Sequence, residues 1–134
     1  MTTTETELIV RYAETDAQGI VHHSNYLVWF EEGRSDHLRQ KGLNYSDFEK
    51  AGYFVVVVEA TARYKAPAYY EDRLRIRTTL ARAQGKILEF HYQVVNQNGT
   101  LLAEGKTLHV VLGRERRPVA LPESLLRQIL ETSG

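Results

Sequence analysis

Tyr12, Glu14, Asp16, Gly19, His22, His23, Ser24, Asn25 and Tyr26 crowd one short segment just ahead of an expected helix. A carboxylate upstream of a helix N-terminus stands beside free backbone N–H groups and the positive end of the helix dipole. That pairing supplies what acyl transfer requires: a base or nucleophile, and donors for a developing oxyanion. Asp16 is one such carboxylate, and Gly19 lets the chain bend sharply between it and the helix. Glu14 competes for the role, and spacing does not separate the two. A loop aspartate is also an ordinary turn former. His22 and His23 with Glu31 would make a metal set, but the His-Glu-x-x-His spacing of a helical zinc site is missing, so no metal is expected. Ser24 lacks a nucleophile elbow and reads, like Asn25, as a helix cap. Tyr26, Trp29 and Phe30 read as core, and His37, His91 and His109 as core or surface.

Composition narrows the setting of this chemistry. The 134 residues are 43% hydrophobic and 25% charged, which fits one globular domain spanning 1–134. Seventeen basic residues balance seventeen acidic ones, so a wide nucleic-acid footprint has no electrostatic support. The chain has no cysteine, which excludes disulfides, a thiolate nucleophile and Cys-bound zinc or iron–sulfur clusters, and agrees with a cytoplasmic location. No apolar run approaches the ~18 residues of a membrane span, and the N-terminal residues do not read as a signal peptide. Gly-x-Gly-x-x-Gly and the P-loop pattern are absent, and no cofactor is expected. Arg63, Lys65, Arg73, Arg75, Arg77, Arg82 and Lys86, with Arg114, Arg116 and Arg117, read either as a solvated sheet face or as a grip on a phosphorylated ligand tail.

The elements that must position the loop follow from periodicity. Residues 8–12 read as a first strand, and a helix is expected from about 25 to 41, ended by Gly42. Tyr26, Phe30, Gly33 and His37 recur on one helical face, widened by Leu27, Trp29 and Leu38. Gly33 on that face implies close approach of a neighbouring backbone. From Tyr53 the period becomes two: Val58, Ala60, Ala62 and Tyr64, then Leu74, Ile76 and Leu80, then Leu88, Phe90, Tyr92 and Val94. Asn98-Gly99 and Gln84-Gly85 mark hairpins, and Pro122 opens a short helix carrying Leu125, Leu126, Ile129 and Leu130. The order is strand, long helix, four antiparallel strands of about 11 to 14 residues, short helix, with the sheet expected to wrap the helix. The apolar run at residues 54–58 would invite pairing if it lay at a sheet edge, so a homodimer or homotetramer is expected.

The segment from Tyr12 to Tyr26, with Phe30, Glu31 and Arg34 on the helix, resembles the signature of hotdog-fold acyl-CoA thioesterases of the 4-hydroxybenzoyl-CoA thioesterase superfamily, and most closely its Tol–Pal-cluster (YbgC-like) branch. Residues 64–72 and 117–122 also fit that branch, and the likeness runs from about residue 8 to 130. The resemblance implies an α+β hotdog fold, a long helix wrapped by a curved five-stranded antiparallel sheet. It implies acyl-CoA hydrolysis in which Asp16 attacks the thioester carbonyl or deprotonates water, and the His23 N–H polarises the carbonyl. It carries over Tyr12 as a further catalytic residue and Gly19, Asn25 and Lys86 as substrate contacts. Two rivals follow from the same reading: a thioester hydratase or dehydratase, and a non-catalytic module binding acyl carriers.

Overall fold

The structure, a computed structural model, describes residues 2–130. Strand β1 (Thr2–Ile9) leads through a single 3-10 turn (Tyr12–Glu14) and a loop to helix α1 (Ser24–Gln40). Helix α2 (Tyr45–Lys50) follows, then β2 (Phe54–Tyr64), β3 (Arg73–Gln84), β4 (Ile87–Val95), β5 (Leu101–Leu112) and helix α3 (Glu123–Leu130). The strands form one antiparallel sheet in the order β1-β3-β4-β5-β2. This is the α+β hotdog arrangement, with α1 laid against the inner face of the sheet. Bulges in β2, β3 and β5 add local bend and twist.

Alternation buries Leu74, Ile76, Leu80, Leu88, Phe90, Tyr92 and Val94 under α1, as the period of two requires. Phe30 of α1 stacks on Tyr92, ring centroids 4.4 Å apart. Gly33 is the point of closest approach: a Cβ there would meet Thr78 Oγ1 and Ile76 Cγ2 of β3. The neighbour is thus a pair of side chains rather than a backbone. The hairpins stand where expected, with positive φ at Gly85 and Gly99.

Several expectations are corrected. The first strand ends at Ile9 rather than covering residues 8–12, because Thr2–Ile9 pairs with β3 and Tyr12 has already turned. Helix α2 was not anticipated, although Asn44 accepts from the Asp47 N–H and Asp47 from the Asn44 N–H, a legible capping box. Strands β2, β3 and β5, at 11, 12 and 12 residues, have the expected length, while β1 and β4, at 8 and 9, are shorter. Val58, Ala60 and Tyr64 are exposed, since α1 packs nearer β1 and β3 than β2. Leu27 is likewise exposed rather than part of the core stripe. Strand β2, with its apolar run, is an edge of the sheet.

Candidate active site

The loop before α1 closes on itself. The Glu14 carbonyl accepts from the His22 N–H at 2.9 Å, Thr15 and Val21 form an isolated bridge, and the Asp16 N–H donates to the Ile20 carbonyl at 2.9 Å. Residues 16–19 make a tight turn in which the Gly19 N–H donates to the Asp16 carbonyl at 3.0 Å, with φ of 81° at Gly19. Aspartate at the first position and glycine at the fourth suit such a turn. The Val21 N–H donates to the Ala68 carbonyl, which fastens the loop to the segment between β2 and β3.

The two competing carboxylates now separate. Glu14 is 5% exposed and accepts from the Trp29 indole at 2.8 Å and the Arg11 N–H at 2.7 Å, so it anchors the loop to α1. Asp16 accepts at Oδ1 from the Gln18 N–H at 2.8 Å, and among the described residues Oδ2 has no partner. Asp16 lines an open cleft of about 700 Å3 together with Gln18, His22, His23, Tyr26, Tyr64, Lys65 and Pro67. The start of α1 faces the same cleft. The His22 ring, not Ser24 or Asn25, caps the helix: Nδ1 accepts from the Ser24 N–H at 3.2 Å and lies 2.8 Å from the Ser24 hydroxyl. The His22 and His23 rings stack at 4.2 Å. The His23 N–H is left without a partner among the described residues, a free donor at the positive end of the helix. Burial, with Tyr64 beside it, pushes the Tyr26 phenol up, so that wall of the cleft is uncharged.

The other expected residues fall differently. Asn25 donates its amide to the Glu14 and His22 carbonyls at 3.0 and 3.1 Å, a staple across the loop. Tyr12 is 75% exposed, leans edge-on against Tyr70, and does not line the cleft. Lys86 sits at the β3–β4 hairpin, where its carbonyl accepts from the Val111 N–H, and Val111 pairs with Val55 of β2. Tyr64 lies nine residues further along β2, so Lys86 is roughly 30 Å along the sheet from its own chain's cleft. Among the described residues no three His, Cys, Asp or Glu side chains converge as metal ligands, and no helix is long and apolar enough to cross a membrane. Sequence spacing missed Tyr64 and Lys65 as cleft residues. Tyr64 donates to the His23 carbonyl at 3.4 Å, and the Lys65 ammonium lies 3.5 Å from Glu104. Only the register of β2 beside the start of α1 brings them to the cleft.

Against this geometry, residues 10–129 match the family model of the thioesterase-like superfamily. YneP of Bacillus subtilis is 38% identical over 109 residues, covering 81% of this chain and 79% of that protein. The acyl-CoA thioester hydrolase YbgC of Escherichia coli is 33% identical over 120 residues, covering 89% of this chain and 90% of YbgC. The structure of a DHNA-CoA thioesterase from Staphylococcus aureus superposes with a TM-score of 0.85 at 30% identity, over 90% of this chain and 82% of that one. A free carboxylate oxygen and a free helix N–H facing one cleft, on this fold and with these relatives, lead to one assignment: the chain belongs to the thioesterase-like superfamily and is a hotdog-fold thioester hydrolase.

Proposed function

We propose that the protein, as a single domain acting in the cytoplasm, hydrolyses acyl-CoA thioesters to the free acid and coenzyme A at the Asp16–His23 cleft. The observation that carries this is a pair of residues with unpaired groups: Asp16 and His23 line one cavity, and Asp16 Oδ2 and the His23 N–H have no partner among the described residues. The thioester oxygen accepts from the His23 N–H as negative charge builds on it. Asp16 drives addition at the carbonyl carbon, directly or by taking a proton from water. The carbon–sulfur bond then breaks, the thiolate of coenzyme A leaves and takes up a proton, and water supplies the hydroxyl of the acid. One backbone donor of this kind contributes about 10²–10³ in rate. Gly19 and Asn25 hold the loop shape that aims Asp16, and Tyr12, which does not line its own chain's cleft, is given no step in this reading.

The active assembly in this reading is a dimer joined through β2. Val57 and Val58 on that edge are 46% and 55% exposed, beside exposed Leu27 and Val28 of α1, an apolar strip that a second copy would cover. Antiparallel pairing of β2 with β2 brings the hairpin end of one sheet to the cleft end of the other. The partner subunit's Lys86 then reaches the phosphates of coenzyme A, which its own cleft leaves too far away.

The experiment is thiol release over a panel of acyl-CoA thioesters, with the mass measured in the same buffer by light scattering. Turnover by a dimer or a pair of dimers is expected. Coenzyme A binding without thiol release, or hydration of an enoyl thioester with the thioester kept intact, contradicts the reading, and a monomer mass contradicts the shared site.

A further inference from the structure

Helix α1 and the exposed stretch of strand β2 that holds Val57 and Ala60 part at an open gap of about 240 Å3. Leu27, Val28, Val57 and Ala60, all exposed in the single chain and beside the edge that a second copy would cover, form its walls, Glu31 stands exposed at its rim, and Thr107 and Arg34 close its buried end.

Arg34 is 9% exposed. Its Nη1 donates to the Tyr92 hydroxyl at 3.5 Å, and the Tyr45 hydroxyl is its other partner. Both are neutral phenols, and no carboxylate pairs with the guanidinium among the described residues. A cation taken out of water without a counter-charge is costly unless something supplies one. The guanidinium has five N–H donors, more than two phenols occupy.

The cavity lies in line with the candidate active site. His23, Leu27, Glu31 and Arg34 follow one another on a single face of α1, at four-, four- and three-residue steps. Eleven residues of helix rise carry that face about 16 Å from the free His23 N–H, and an arginine side chain leaning toward the N-terminus shortens the gap to about 10 Å. An acyl group held by its carbonyl at His23 and laid along this face of α1 would end at Arg34.

We propose that Arg34 recognises the far end of the acyl group, and that the preferred substrates are thioesters whose acyl chain ends in a carboxylate. The inference rests on the thioesterase reading and names the substrate class of that site. A carboxylate offers two oxygens to the planar guanidinium and supplies the missing charge, with the methylenes between Leu27, Val28, Val57 and Ala60. An alkyl end of equal length leaves the cation unpaired, the situation that discriminates most strongly between substrates.

Paired substrates of equal chain length test this: suberyl-CoA against octanoyl-CoA, and adipyl-CoA against hexanoyl-CoA. The parent protein is expected to show kcat/KM roughly tenfold or more higher for the carboxylate-ended member. Arg34→Met should lose that advantage and gain severalfold on octanoyl-CoA, while Arg34→Lys, which keeps the charge, should retain part of the preference. Equal or better turnover of octanoyl-CoA by the parent overturns the proposal. So does an Arg34→Met protein that keeps the parent's preference, or one that loses both substrates equally while falling to monomers, which would make Arg34 a structural residue. If Arg34→Met does not fold, the parent's ratios decide, together with inhibition by free suberate against octanoate, where stronger inhibition by octanoate counts against it. Hydrolysis of octanoyl-CoA without a carboxylate preference sinks this inference alone, whereas release of thiol from no thioester sinks the hydrolase reading with it.

Discussion

Two carboxylates two residues apart have opposite fates, and the difference lies in what each touches. Glu14 is surrounded by donors, the Trp29 indole and the Arg11 N–H, with the Arg11 guanidinium 3.5 Å away. Asp16 gives one oxygen to its own turn and leaves the other to the cleft. Glu14→Gln turns one acceptor oxygen into a donor facing a buried indole N–H, so the fold should lose about 1–3 kcal/mol, measured by denaturant unfolding. Unchanged stability would mean that Glu14 does not anchor the loop. The sequence announced both residues and could not rank them, because the indole that claims Glu14 lies a helical turn inside α1. The placement of Asp16, Gly19 and His23, a turn leading into a helix start, was legible for a local reason: turn chemistry and helix entry act within a few residues. Tyr64 and Lys65 were not, since they reach the cleft only through the register of β2.

Elements were legible where one period ruled. The inward faces of β3 and β4 fell where alternation put them, and α1 lies within one residue of its expected bounds at each end. Strand β2 misled because alternation implies a covered face, and α1 lies off-centre toward β1 and β3. The start of α1 misled because a histidine ring, rather than Ser24 or Asn25, took the cap. Gly33 shows the helix position being set by contact. Alanine there would gain helix propensity, yet its Cβ would collide with Thr78 Oγ1 and Ile76. Overpacking of this kind costs about 1–3 kcal/mol, more than the ~1 kcal/mol of propensity returned. Gly33→Ala is therefore expected to lower the melting temperature, and a rise would show that β3 has room to yield.

Across the whole molecule, two buried histidines couple stability to pH. Burial, with Lys41 nearby, lowers His37 to about 4; burial, with Arg34 nearby, lowers His109 to about 4. His37 sits among the Thr2 and Thr4 hydroxyls, and His109 Nε2 lies 2.7 Å from the Thr107 hydroxyl. Unfolded, each ring takes a proton below about 6.5. Between that value and about 4 the unfolded chain binds more protons, so stability is full above the window, falls as pH drops through it and levels off below. The loss between about pH 7 and about pH 5 should be about 2 kcal/mol per ring, read from denaturation midpoints, and flat stability across that range would contradict neutral buried rings. None of this touches the chemistry proposed at Asp16. Asp16→Asn keeps an acceptor for the Gln18 N–H and removes only the charge, so it isolates the central claim. On the best thioester of the panel, steady-state thiol release by Asp16→Asn at unchanged melting temperature should fall by about 10³ or more. Turnover within a few-fold of the parent would show that the carboxylate facing the cleft is not what breaks the thioester.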